Sequence, residues 1–134
     1  MRRRIPLLCL AFAALLSSMR VHAVDCRALI KGHLPGASVN SAALVPAGLF
    51  EIPTRSPTPA EHILLPTFCR VEGTAVTMIG FELWMPAQHW NGRLLSLGNG
   101  GFGGTIGLLP LAEYLRKGYA VTANDTGHVG SGTA

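Results

Sequence analysis

Charge is scarce in this sequence, and charge of one sign is missing from its start. Only 13% of the 134 residues are charged, against 49% hydrophobic, a balance that excludes a disordered tail or a solvated linker. The first 23 residues contain no acid but hold four of the eleven basic residues, Arg2, Arg3, Arg4 and Arg20. From Val24 onward seven Lys/Arg face seven Asp/Glu. The formal net charge of +4 therefore belongs to the leading segment. No basic patch remains to neutralise phosphates or to bind an anionic membrane, so neither nucleic acid nor a membrane surface is an expected partner of the remainder.

Long hydrophobic runs are also missing. The apolar stretch Ile5–Leu16 is twelve residues long, short of the roughly 20 needed to span a bilayer. With Arg2-Arg3-Arg4 before it and the small residues of Val21-His22-Ala23 after it, the segment has the form of a cleaved secretory signal peptide over residues 1–23. Arg3-Arg4 is compatible with twin-arginine export. Ala23-Val24-Asp25 lacks the small residues expected before a lipidated cysteine at Cys26. The expected destination of residues 24–134 is secreted or periplasmic.

Cysteine is sparse as well, with three in the chain. Cys9 falls in the leader, which leaves Cys26 and Cys69, an even number in an oxidising compartment, and a disulfide is the favoured reading. Two free thiols, or partners elsewhere, are the alternatives. No second Cys/His pair stands at metal-ligand spacing, so no metal or other cofactor is expected in this segment.

Val24–Pro66 is interrupted by Pro35, Pro46, Pro53, Pro57, Pro59 and Pro66 and is expected to be irregular. From Phe68 the texture changes. Val71–Met78 and Gly80–Met85 have strand composition, Trp90-Asn91-Gly92 a turn, and Arg93–Leu97 the length of a short strand. Pro110–Lys117 fits a helix with Leu111, Tyr114 and Leu115 on one face and Gly118 as a left-handed cap. Tyr119–Ala123 is a buried-type strand. Strand, glycine segment, helix and strand in that order make a βαβ unit, so the expected class is α/β with a parallel sheet.

Seven of the sixteen glycines lie between Gly92 and Gly107. Gly98-Asn99-Gly100-Gly101-Phe102-Gly103 contains Gly-x-Gly-x-x-Gly, and Asp125 follows 22 residues beyond Gly103, which approximates a dinucleotide fingerprint. Export to a compartment poor in nicotinamide cofactors argues against it. So does the interval Thr105-Ile106-Gly107, which would hold a pyrophosphate away from the helix N-terminus. A P-loop is excluded because no Gly-Lys-Ser/Thr follows. A second chemical meaning is an oxyanion-binding loop, in which glycine N–H groups at a strand end face a developing negative oxygen; the alternative is a tight glycine turn that binds nothing.

Five blocks then resemble one family. They are Leu65–Val71, Phe81–Pro86, Trp90–Arg93, Gly98–Gly104, and Gly118–Val121 with Asp125–His128. In this order and spacing the sequence resembles the tannase/feruloyl esterase family of secreted α/β-hydrolases, and corresponds to that family's N-terminal part. The resemblance implies an incomplete α/β-hydrolase sheet and, for the whole enzyme, serine-mediated hydrolysis of small esters of aromatic, phenolic acids. It assigns an oxyanion-hole N–H to Gly101, flanked by Gly100 and Phe102. It also matches Cys26 and Cys69 to the family's N-terminal disulfide.

Family members carry the nucleophile in a downstream Cys-Ser-x-Gly-Gly segment, followed by the triad Asp and His and by a lid with a calcium site. None of these has a counterpart here, and Ser131 does not fit Gly-x-Ser-x-Gly because Val129 and Thr133 occupy the wrong positions. The segment by itself is therefore expected to be inactive. Asp125 and His128 end a strand on the active edge, either near substrate or as a loop that fixes the strand end. Trp84 and Trp90 are expected in the core. The alternative function is a secreted, non-catalytic binding module built on the same front of the fold.

Overall fold

The computed structural model describes residues 25–53, 59–76, 78–99, 103–127 and 130–131. The proposed leader, and with it the boundary at residue 23, lies outside the described residues.

A six-residue 3-10 helix, Cys26–Lys31, opens the fold, with the Asp25 carboxylate accepting from the Arg27 N–H at 3.1 Å. Strands β1 (Ala37–Val45), β2 (Gly48–Ile52) and β3 (Glu61–Leu65) follow. Next come β4 (Phe68–Ala75), β5 (Ile79–Pro86), β6 (Leu94–Leu97) and the two-residue β7 (Gly103–Gly104). Helix α1 (Leu108–Arg116), β8 (Ala120–Asn124) and the two-residue β9 (Gly130–Ser131) complete it.

The expectation that Val24–Pro66 is irregular is overturned, since three strands occupy it. The prolines punctuate the segment without preventing strands. Pro35 and Gly36, the latter at φ +74°, form the tight turn whose Ala37 N–H donates to the Leu34 carbonyl at 3.1 Å. Pro46 separates β1 from β2, and Pro66 separates β3 from β4. A proline at a strand boundary removes no ladder bond, so stretches of five to nine residues between them can still pair.

The main sheet has the order β1-β4-β5-β8-β6. Only β6 and β8 run parallel, and the pairs β1–β4, β4–β5 and β5–β8 are antiparallel. The expected βαβ unit is present as β6–α1–β8, but the sheet around it is mixed. The reason is connection length: β4 and β5 are joined by three residues, enough for a hairpin and far too few for a parallel crossover. The hairpin β2–β3 is a separate two-stranded sheet.

Alternation along the strands sorts side chains onto two faces. Phe68, Trp84, Val121 and Ala123 point to the face covered by Leu111, Ala112 and Leu115 of α1 and by Ile52 and Leu65 of the hairpin. The rings of Phe50, Phe68 and Trp84 meet there with centroids 4.8–5.9 Å apart. On the opposite face Cys69, Val71 and Ala42 pack with Cys26, and Cys26 and Cys69 are joined as a disulfide with Cα atoms 5.7 Å apart. Trp84 is fully buried, as expected. Trp90 is not in the core: it is 59% exposed and its indole N–H donates to the Arg93 carbonyl at 3.1 Å.

Helix α1 ends as its sequence implies. Gly118 has φ +81° and donates its N–H to the Leu115 carbonyl at 2.9 Å, while the Tyr119 N–H reaches Tyr114 at 3.2 Å. Asn91 docks this end against the start of β6. Its backbone N–H donates to the Gly118 carbonyl at 2.9 Å, and its Nδ2 donates to the Lys117 carbonyl at 3.2 Å. A Cβ at Gly118 would lie 2.7 Å from the His89 carbonyl oxygen. Gly118→Ala is therefore expected to lower stability by about 1–2 kcal/mol or more, from left-handed strain plus that overlap. A urea midpoint within experimental error of the parent would contradict it.

Candidate functional site

Sites in open α/β sheets form beyond the carboxyl ends of the parallel strands, where helix and loop connections leave a crevice. Here that edge is the end of β6 and β8, in register as Leu97 opposite Ala123. Two segments leave it: residues 98–104 after β6 and residues 125–131 after β8.

The segments are fastened to one another and to the sheet by polar groups. The Asn99 side-chain Nδ2 donates to the Asn124 carbonyl at 2.6 Å. Further along, Gly103 and Gly104 pair antiparallel with Ser131 and Gly130 as the β7–β9 ladder, and Gly104 is buried. Asp125 bridges to the start of β5. Its backbone N–H donates to the Gly80 carbonyl at 3.0 Å, and its Oδ1 accepts from the N–H groups of Gly80 and Gly127, both at 2.9 Å. Asn124 Oδ1 accepts from the Thr126 N–H at 3.0 Å, and the chain then turns through Thr126 and Gly127 at φ +59° and +86°.

Of the residues singled out from sequence, Gly100, Gly101, Phe102 and His128 lie outside the described residues. Asp125 lies at the carboxyl edge, half-buried, with its carboxylate engaged by two backbone donors. That geometry fixes a strand end. Ser131 pairs with Gly103 in the β7–β9 ladder. The bond between Asn99 and the Asn124 carbonyl is not legible in the sequence. The only signal was an amide side chain inside a run of glycines, and its partner, a main-chain carbonyl 25 residues away, leaves no trace in sequence.

Among the described residues there is no group of three or more His, Cys, Asp or Glu side chains able to hold a metal ion. No helix among them is long and apolar enough to cross a membrane.

A parallel strand pair joined by a glycine segment and a helix, within a sheet that is otherwise antiparallel, is the front of an α/β-hydrolase fold. The crystal structure of an esterase from Aspergillus oryzae superposes with a TM-score of 0.66 at 32% identity, over 78% of this chain and 22% of that one. Feruloyl esterase B from Aspergillus oryzae superposes with a TM-score of 0.64 at 30% identity, over 81% of this chain and 22% of that one. Residues 64–133 match the family described as tannase and feruloyl esterase, and the chain belongs to that family. It is 38% identical over 122 residues to an uncharacterized esterase of Xanthomonas campestris pv. campestris, covering 88% of this chain and 20% of the relative. It is 32% identical over 139 residues to a probable feruloyl esterase B-2 of Aspergillus oryzae, covering 98% of this chain and 26% of the relative. The chain thus spans a fifth to a quarter of the length of these relatives.

Proposed function

We propose that this chain forms the front of the active-site edge of an exported serine carboxylesterase that cleaves esters of phenolic acids. The observation that carries the reading is the position of the Gly98–Gly104 segment. It leaves the carboxyl end of β6 and precedes α1 within the β6–α1–β8 unit, the place where an α/β-hydrolase loop supplies one oxyanion donor. In this reading Gly101 donates that N–H, with Gly100 and Phe102 as its flanks. Asp125 and His128 stand near the substrate, Asp125 holding the strand end through its two backbone donors.

A serine oxygen attacks the ester carbonyl while a histidine takes its proton. The oxyanion is held by the Gly101 N–H and by the N–H after the serine, and the alcohol departs with the proton. Water then attacks the acyl group and releases the phenolic acid. Gly-x-Ser-x-Gly does not occur in the sequence, so the reading draws the nucleophile, its histidine and its acid from chain beyond residue 134. It assigns no cofactor to the present residues and leaves any structural calcium to a lid formed by that further chain. The Cys26–Cys69 disulfide supports export to an oxidising compartment.

The test is turnover by the complete protein that carries this chain, with methyl ferulate and methyl gallate compared against methyl propionate. Saturable release of the phenolic acids and fluorophosphonate labelling of a serine outside residues 24–134 are expected. No hydrolysis of either phenolic ester, or labelling of Ser131, would overturn the reading. Residues 24–134 alone are expected to release no phenolic acid; saturable turnover by them would overturn the placement of the nucleophile.

A further inference from the structure

Glycine-rich backbone has more conformations to lose than any other, so a donor carried on it is useful only if both flanks of the segment are held. The carboxyl edge of the sheet contains such fastenings, and they converge on one stretch. The backbone ladder between β6 and β8 reaches Leu97 and Ala123. Asn99, two residues further on and level with Asp125 in that register, continues it with a side-chain amide, its Nδ2 donating to the Asn124 carbonyl at 2.6 Å. The other flank is held by Gly103 and Gly104 against Ser131 and Gly130. The stretch that receives both flanks is itself pinned to β5 through the two Asp125–Gly80 bonds, 2.9 and 3.0 Å long.

We infer that Asn99 is a positioning residue, the side-chain rung that holds the chain leaving β6 in register with β8. The inference rests on the esterase reading for its catalytic consequence but not for its structural one. The chemistry selects asparagine. A donor is needed opposite a carbonyl oxygen, on a side chain short enough to act within one strand spacing. Alanine removes the donor, and aspartate sets a carboxylate against that oxygen.

In the complete protein, Asn99→Ala is expected to lower kcat on methyl ferulate about tenfold or more, with KM changed less than about threefold. Asn99→Asp is expected to lose at least as much. Hydrogen–deuterium exchange should accelerate about tenfold in peptides covering residues 98–107 and 124–131, and remain unchanged in β4 and β5. Faster exchange confined to those two segments together with the kcat loss supports the role. Unchanged exchange, a change in KM alone, wild-type activity in Asn99→Asp, or faster exchange throughout the sheet overturns it. If the parent protein hydrolyses no ester, the esterase reading fails by itself, and the exchange measurement still decides whether Asn99 holds the segment.

Discussion

Replacing Glu82 by alanine is expected to destabilise the protein by about 3 kcal/mol, among the largest effects available to a single side chain outside the hydrophobic core. Glu82 lies on β5 beneath the helix-covered face, 7% exposed. Its two carboxylate oxygens accept from Arg70, Oε2 from Nε and Oε1 from Nη2, both at 2.8 Å, and Oε2 also accepts from the Trp84 indole N–H at 2.6 Å. The Arg70 guanidinium lies 5.9 Å from the ring centres of both Phe50 and Trp84.

Removing the carboxylate leaves a buried indole N–H without its acceptor and takes from Arg70 its two-pronged partner. Breaking a buried pair from one side costs about 3–5 kcal/mol. The lower end applies because the Arg70 side chain keeps 28% of its exposure and retains Glu72, 2.9 Å away. Glu72→Ala, at a side chain 44% exposed, is expected to cost less than about 1 kcal/mol. Glu82→Gln keeps an acceptor for Trp84 and falls between the two.

The hydrogen bonds that Arg70 donates to Glu82, opposed by partial burial and helped by the charges of Glu82 and Glu72, hold the Arg70 pKa above its ordinary value. A raised cationic pKa contributes stability that is fully present below the unfolded value and is lost only as pH rises through the folded one. The arginine therefore stays charged across the whole working pH range. Urea midpoints for the three variants check the account, and a Glu82→Ala loss no greater than that of Glu72→Ala would refute it.

The second large effect comes from the disulfide. The double variant Cys26→Ala, Cys69→Ala is expected to lose about 2–4 kcal/mol. Cys26 and Cys69 are 43 residues apart in sequence, and closing a loop of that size restricts the unfolded chain by about 4 kcal/mol on loop-closure entropy alone. The folded state loses something as well. Cys26 is the buried residue of the Cys26–Lys31 turn, so its bond to β4 holds that turn over Val71 and Ala42. Without it, amides of residues 26–31 should exchange freely while those of β4 and β5 remain protected at low denaturant. Reduction of the parent protein should move its midpoint as far as the double substitution does. A loss under about 1 kcal/mol would show that packing alone holds the turn.

These effects also separate what was legible in the chain from what was not. The second half announced itself through local rules. Pro110 and Gly118 mark a helix because one suits its first turn and the other takes φ +81° beyond its end, although α1 starts two residues before the expected Pro110, at Leu108. The apolar runs on either side of it became β6 and β8, offset by a residue from their expected limits. In the first half local rules misled. Proline marks where a strand stops, but it does not say whether the residues between two prolines find a partner. For β1 the partner is β4, with Ala37 opposite Ala75 and Val45 opposite Phe68.

By itself the sequence determined a charge-balanced body after a basic first 23 residues, the βαβ unit, the two cysteines available for pairing, and a glycine segment placed to end a strand. These follow from composition, from periodicity and from residues whose backbone preferences act over one or two turns. Tertiary structure alone decided the mixed sheet, the meeting of Arg70, Glu82 and Trp84 beneath the helix-covered face, and the rung from Asn99 to the Asn124 carbonyl. Each of these depends on strand register. A shift of one residue turns every side chain to the other face, and the contacts that hold these registers join residues 12 to 45 apart in sequence, which no local pattern records.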